Sequence, residues 1–315
     1  MPRLKPQRWL ELAITVQPEL VEPLTELFAK RGKAAVSIEE RAADEEVPAT
    51  VAGPASGPAA WAGPSSAATV TLRAYLPGGL IGKRRRARIE AGIALLGLMV
   101  PMPPLRARDV DAEEWESVLR GHFTTLRVGK RLLVCPLWEK YEAQPGEVVL
   151  LLDPGASFGT GHHPTTRLCL QLLESRVRPG IRVLDVGTGS GILAIAAAKL
   201  GAATVVGVDT DPLAVRMARR NVRTNGVQDR VKALRGTIPL AGEERSDLVV
   251  ANITSAILEA IMPDLNDALW PGGELILSGV LVPQLPSVLA TAGAFGLVLA
   301  EQRTEGDWVA LVLRR

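Results

Sequence analysis

Two kinds of hydrophobic pattern run along this chain, loose alternation in its first third and unbroken apolar runs in its second half. Residues 9–16 (WLELAITV) alternate and predict a strand. Pro18 then opens a helix whose Leu20, Val21, Leu24 and Phe28 fall at helical spacing, with Gly32 as its stop. Residues 34–39 predict a second strand, 69–76 a third, 81–99 a helix ended by Pro101, Pro103 and Pro104, and 105–110 a fourth strand. Strand–helix–strand followed by strand–helix–strand is the order of a small ferredoxin-like α+β domain, assigned to residues 1–110. Residues 43–67, rich in Ala, Gly, Pro and Ser around a lone Trp61, interrupt it. They carry too little apolar surface to order themselves and predict a mobile loop.

A connecting segment over 111–150 carries Trp115, His122, Phe123 and Trp138 and reads as packing on the second domain. Beyond it the pattern changes. From 151 to 315 apolar runs alternate with helical stretches. Strands are predicted at 183–186, 204–208, 231–235, 248–251 and 274–277. Helices are predicted at 168–173, from Ile192 to Gly201, from Pro212 to Asn225, at 255–269 and at 282–292. A closing pair of strands, 297–301 and 308–313, is joined through 303–307. This order predicts a parallel doubly wound α/β sheet with one antiparallel strand at its end.

The chemistry concentrates in residues 182–209. A buried strand stops at Gly187, Gly189 and Gly191, a helix follows, and the next strand ends on Asp209. Glycines let the backbone turn sharply and let a ligand lie against it, and an acid at the second strand's end can accept from both hydroxyls of a ribose. A dinucleotide fingerprint reads Gly-x-Gly-x-x-Gly, with a helix N-terminus aimed at pyrophosphate. Here the third glycine comes one residue early, no Walker lysine follows, and Asp185 stands just before the turn. Asp185 disfavours a phosphate and tolerates a cation. The turn therefore favours S-adenosylmethionine, which has no phosphate and carries a sulfonium and an ammonium. In such sheets the ligand sits outside the carboxyl ends of the strands, where Gly187, Asp209 and Asn252 are predicted to stand. Asn252 can hold a donor or a nucleophile, or cap the helix after it. Upstream, Gly155, Gly159 and Gly161 permit a loop close to a ligand, and His162-His163-Pro164-Thr165-Thr166 leads into a helix. The two threonine hydroxyls can cap that helix or touch a ligand.

Composition adds boundaries. A net charge of +2 on 315 residues gives no polyelectrolyte signature, although Lys83, Arg84, Arg85, Arg86 and Arg88 share one helix that can meet RNA or solvent. Cys135 and Cys169 fit no metal spacing and suggest buried thiols in a reducing compartment. No signal peptide and no 18-residue apolar span is visible, so the protein is expected to be cytoplasmic, with no membrane partner and no metal.

Four segments together resemble one family. Phe158-Gly-Thr-Gly-His-His-Pro-Thr-Thr166, Leu184-Asp-Val-Gly-Thr-Gly-Ser-Gly191, Val208-Asp209 and Ala251-Asn-Ile-Thr254 are similar to the bacterial ribosomal protein L11 methyltransferases. The glycine turn alone would indicate only the class I methyltransferase (Rossmann-like) fold; the segment at 158–166 is more specific. Asn-Ile in place of Asn-Pro-Pro-Tyr separates the chain from the glutamine and adenine amide methyltransferases. The resemblance covers about residues 105–315, and the N-terminal domain fits in size and strand order. It implies a methyltransferase that uses S-adenosyl-L-methionine to methylate lysine side chains and an N-terminus of ribosomal protein L11, free or on the ribosome, with the small domain recognising that substrate and moving relative to the catalytic one. Mapped by motif, Thr166, Gly187, Asp209 and Asn252 are the implied donor-binding positions, with Asn252 also orienting the amine. His162 doubles the family's usual histidine, and 43–67 reads as an insertion. The competing readings are an S-adenosylmethionine-dependent methyltransferase acting on RNA or another protein, a NAD-dependent oxidoreductase, and a non-catalytic ribosome-binding protein.

Overall fold

The computed structural model describes residues 9–28, 35–41, 69–111, 124–152, 161–238 and 245–315. The loop read at 43–67, His122 and the Phe158–Thr160 part of the diagnostic segment lie outside them. The chain divides into two compact units, Met1–Leu119 and Arg120–Arg315.

In the first unit the elements run β1 (Trp9–Val16), α1 (Val21–Leu27), β2 (Ala35–Arg41), β3 (Thr69–Pro77), α2 (Leu80–Leu96) and β4 (Arg106–Val110). They form an antiparallel sheet of order β2-β3-β1-β4, the ferredoxin-like arrangement that the element order predicts. Alternation in β1 and β3 sends Leu12, Ile14, Val16, Leu72, Ala74 and Leu76 to one face, where they bury Leu24, Phe28, Ile89 and Ile93 from the helices. Glu11 lies among the residues of opposite phase, buried, and accepts from Arg73 at 2.9 Å and from Arg108 at 3.0 Å. Burial works against its charge, but the hydrogen bond and charge of Arg108, with the charge of Arg73 and a hydrogen bond from Tyr75, hold its pKa below the usual carboxylate range.

The second unit opens with a small sheet of order β5-β6-β7, made of β5 (Leu126–Arg127), β6 (Leu132–Pro136) and β7 (Val148–Leu152). The connecting segment thus contributes its described part to this unit. There follow α3 (Pro164–Arg176), β8 (Arg182–Val186), α4 (Ile192–Leu200), β9 (Thr204–Asp209), α5 (Pro212–Thr224), β10 (Val231–Arg235), β11 (Ser246–Asn252), α6 (Ser255–Ala260), α7 (Met262–Asp267), β12 (Leu269–Leu281), α8 (Leu285–Ala294), β13 (Val298–Glu305) and β14 (Trp308–Arg314). The seven-stranded sheet has the order β10-β9-β8-β11-β12-β14-β13. Its first five strands are parallel, and β14 runs antiparallel to both neighbours. β8 and β11 are neighbours, although β9 and β10 continue from β8 in the other direction, so the order reverses between them. A crevice at the carboxyl ends belongs there.

Two sequence expectations need correction. The antiparallel strand is last in the chain but not last in the sheet: β14 turns back from β13 and inserts between it and β12, leaving β13 at the edge. The helix expected over 255–269 is two helices broken at Ile261, because Pro263 in the first turn of α7 cannot supply the amide that a continuous helix requires. Among the described residues no helix is long and apolar enough to cross a membrane.

Glu11→Gln should destabilise the protein at neutral pH by on the order of 1 kcal/mol, because a buried acceptor of two guanidiniums loses its charge. A carboxyl with a lowered pKa contributes stability above its ordinary pKa and loses it as pH falls through the folded value. The parent–variant difference in urea unfolding should therefore shrink on acidification below about pH 4.5. A difference constant with pH would show that the arginines do not act on the charge.

Candidate active site

The turn after β8 is fastened to the end of β9 by the backbone. Gly187 N and Thr188 N both donate to Val208 O at 2.9 Å. Gly189 N donates to Asp209 Oδ2 at 3.0 Å, and Asp211 N donates to Asp209 Oδ1 at 2.9 Å. Gly187, Gly189 and Gly191 all take positive φ, at 74°, 54° and 83°, which is the turn the three glycines imply. From α5, the buried Asn221 donates to Ser190 O at 2.8 Å and steadies the turn from behind. Asp211 caps α5 by accepting from Leu213 N at 2.8 Å, with Pro212 at the first helical position.

Asp185 lies under the turn, fully buried. Its Oδ2 accepts from Thr188 Oγ1 at 2.7 Å and from Ala194 N at 3.1 Å, while Oδ1 has no partner. Burial pushes its carboxyl up to about 7, with the nearby charge of Asp209 acting in the same direction against those two hydrogen bonds.

Across the switch point, Asn252 ends β11 and its Nδ2 donates to Thr166 Oγ1 at 3.4 Å. Asn252 is therefore not the cap of the next helix; that position is Thr254. Thr166 sits buried in the first turn of α3, whose cap is His163, with Nδ1 accepting from Thr165 N at 3.3 Å. The His163 ring packs edge-on against Trp308 at 4.9 Å. Burial, then the charge of Arg167, lowers its pKa to about 4, so the ring is a neutral acceptor at neutral pH. Arg167 joins this segment to the β13–β14 hairpin, donating to His162 O and pairing with Glu305.

All four residues singled out in the sequence thus stand in one contiguous region. Thr166 and Asn252 are bonded, Asp209 is joined to the glycine turn, and Gly187 packs against Ile253, where a Cβ would come within 2.5 Å of Cγ2. Sequence reasoning missed three supports: Thr188, Asn221 and Gly279. Gly279 interrupts β12 at a register shift with φ 83°, and a Cβ there would lie 2.2 Å from Ile253 O. The available signals were a glycine inside a strand pattern and an asparagine among the apolar positions of α5.

A family model described as ribosomal protein L11 methyltransferase matches residues 8–315. The chain is similar to the ribosomal protein L11 methyltransferase of Chloroflexus aurantiacus, 42% identical with 98% of each chain covered. It is similar to that of Pelotomaculum thermopropionicum at 43% identity, covering 97% of this chain and 98% of the other. Among solved structures it resembles the crystal structure of a ribosomal protein L11 methylase from Lactobacillus delbrueckii subsp. bulgaricus, with TM-score 0.58 and 32% identity over 61% of this chain and 99% of that one.

Two outcomes are expected from the geometry. An acid whose folded pKa is raised keeps its proton while the unfolded chain loses it, so its contribution to stability falls as pH rises from about 3.8 to about 7. Asp185→Asn should remove that decline in the unliganded protein, read as the parent–variant difference in urea unfolding across this window; a difference independent of pH would contradict it. Gly279→Ala should destabilise by roughly 1–3 kcal/mol from its left-handed backbone alone, and further through the collision with Ile253; a thermal midpoint equal to the parent's would contradict it.

Proposed function

Because this chain belongs to the family of ribosomal protein L11 methyltransferases, we propose that it methylates lysine side-chain and N-terminal amino groups of ribosomal protein L11, with S-adenosyl-L-methionine as donor. The observation that carries the donor assignment is the glycine turn, with three positive-φ glycines in five residues and hydrogen-bonded to the carboxylate that ends β9. The site's acids support a ligand with positive charge. Asp185 Oδ1 is a buried acceptor without a partner, and the turn carries neither lysine nor arginine.

On this reading Asp209 would hold the ribose hydroxyls, using lone pairs left beside the two amides it already accepts. Gly187 would let the backbone turn beside the ligand, its Cβ space being taken by Ile253. Thr166 and Asn252, already bonded to each other, would line the opposite wall. When bound, the donor supplies an electrophilic methyl group on a sulfonium, displaced in line by the amine nitrogen. The protein's work is then alignment, which supplies much of the rate in such a displacement. A lysine amine of ordinary pKa near 10.4 is neutral in only about one molecule in a thousand at pH 7.4. Withdrawing it from water beside a positive charge lowers that pKa, so the proton can leave to solvent before the N–C bond forms and the S–C bond breaks. His163 is poorly suited as a base, being half-buried and already engaged with Thr165. Asn252 would orient the attacking nitrogen through its carboxamide. A ribosomal protein as substrate is consistent with a cytoplasmic site of action.

The direct test is methyl transfer from labelled S-adenosylmethionine to unmodified large-subunit proteins, resolved by intact mass. Label should enter L11 in successive methyl steps; label in RNA or in another protein would refute the acceptor. Asp209→Ala should weaken donor binding by roughly 10–100-fold, the loss of two hydrogen bonds to a charged acceptor. Asn252→Ala that bound the donor normally and turned over at the parent rate would remove Asn252 from the mechanism.

A further inference from the structure

One face of the second unit is charged out of proportion to the rest of the chain. Between positions 212 and 235 stand seven cations against a single acid, Asp229, although the whole chain carries a net charge of only +2. The remainder of the chain is therefore net acidic. Within α5 the cations follow the helical repeat: Arg216, Arg219, Arg220 and Arg223 are i, i+3, i+4 and i+7, all exposed. Residues at these spacings are neighbours on one helix face, about 5–6 Å apart. The opposite face, Val215, Ala218, Asn221 and Val222, is buried. Arg219 Nε donates to Ala233 O at 2.8 Å, which ties the stripe to β10. Beside it the exposed Lys232 extends the charge across β10, an edge strand of the large sheet.

A shallow groove of about 270 Å³ runs between α5 and β10. Its walls are Arg219, Arg223, Gln228 and Lys232, and its floor is apolar, with Val222 and Val231 among its residues. Several guanidiniums elsewhere in the unit are matched: Arg176 and Arg314 pair with Glu274, Arg303 with Glu301, and Arg315 with Asp267. On this face, among the described residues, no carboxylate pairs with Arg216, Arg219, Arg223, Lys232 or Arg235. Arg219, Arg223 and Lys232, which no described carboxylate pairs with, line an apolar-floored groove beside Arg216 and match a sugar–phosphate strand. Guanidinium forks recognise phosphate oxygens bidentately, and the floor accepts riboses. The groove's lining residues include no aromatic ring on which bases would stack.

We infer that the α5–β10 face binds the phosphate backbone of RNA, without sequence preference. The inference does not depend on the methyl-transfer reading.

The test uses the full chain and a fluorescein-labelled, mixed-sequence single-stranded RNA of about 20 nucleotides, with fluorescence anisotropy read across a series of potassium chloride concentrations. Three to five neutralised phosphates predict a slope of about −2 to −3.5 in log affinity against log salt. The triple variant Arg216→Gln, Arg223→Gln, Lys232→Gln should bind roughly tenfold more weakly or worse at 0.1 M salt, with a slope shallower by about 2. It should keep the parent circular dichroism and thermal midpoint. The charge reversal Arg216→Glu gives a second, milder probe that leaves the Arg219 bond to β10 intact, and it should also weaken RNA binding. Three outcomes would overturn the inference: no RNA binding; binding unchanged in both variants; or polyglutamate competing as well as RNA at equal charge, which would make the face a site for acidic protein. Loss of binding in Lys83→Gln, Arg84→Gln, Arg88→Gln while the α5 variants still bind would place the RNA on the first unit instead and equally refute it.

Discussion

The carboxylate of Asp209 is the point on which the arrangement of the site depends. It ends β9, and its two oxygens accept the amides of Gly189 and Asp211. One side chain thus fixes the turn out of β8 and the turn into α5 at the same place. The amides of Gly187 and Thr188 reinforce it on Val208 O. A backbone that bends this tightly needs positive φ at three positions in five residues, and L side chains rarely adopt it. Cross-strand anchoring and glycine are therefore two halves of one constraint. The glycines permit the turn, and the acid holds it in one conformation that a ligand need not organise on arrival.

The same logic of close approach joins the two sides of the switch point. Ile253 is flanked by Gly187 and Gly279, and at either position a Cβ would enter its space. Its neighbour Asn252 is thereby held against the first turn of α3, where it reaches Thr166. That helix is in turn set by His163, neutral because it is half-buried and beside Arg167, and by the Arg167–Glu305 pair reaching across to the terminal hairpin. The hairpin strand β14, inserted between β12 and β13, carries Trp308 to the His163 ring. The last element of the chain therefore buttresses the first wall of the site. The insertion of β14 thus bears on the site as well as on the topology.

Periodicity and punctuation made much of this legible. Unbroken apolar runs ending in Gly187, Asp209 and Asn252 identified strands and their carboxyl ends, because a parallel sheet buried on both faces leaves no other composition for its strands. Alternation in β1 and β3 did the same for the ferredoxin-like sheet. Insertion of β14 was not legible, since two consecutive strands predict a hairpin but not which of them pairs with β12. The break at Ile261 was legible only in principle: Pro263 stood inside an apolar helical pattern, and a proline in a first turn looks the same as one in an interior until the turn is seen. Thr188, Asn221 and Gly279 escaped because their roles are long-range. Thr188 serves a buried carboxylate three residues back, Asn221 a carbonyl on another element, and Gly279 the backbone of a neighbouring strand.

Charge shows the limit of reading a run by eye. The sequence Lys83-Arg84-Arg85-Arg86 is the most conspicuous basic stretch in the chain, yet adjacent residues on a helix point about 100° apart and cannot make one surface. In α2 they are dispersed around the axis, and Arg86 is engaged with Glu90 at 2.7 Å. The arginines of α5 attract less notice because Met217, Ala218, Asn221 and Val222 separate them. Those interruptions are what align them: Ala218, Asn221 and Val222 at the intervening positions are buried, and the cations left between them fall on a single face. For a helix, spacing rather than density determines whether like charges add at a surface. A net charge near zero on the whole chain conceals such a face instead of excluding it.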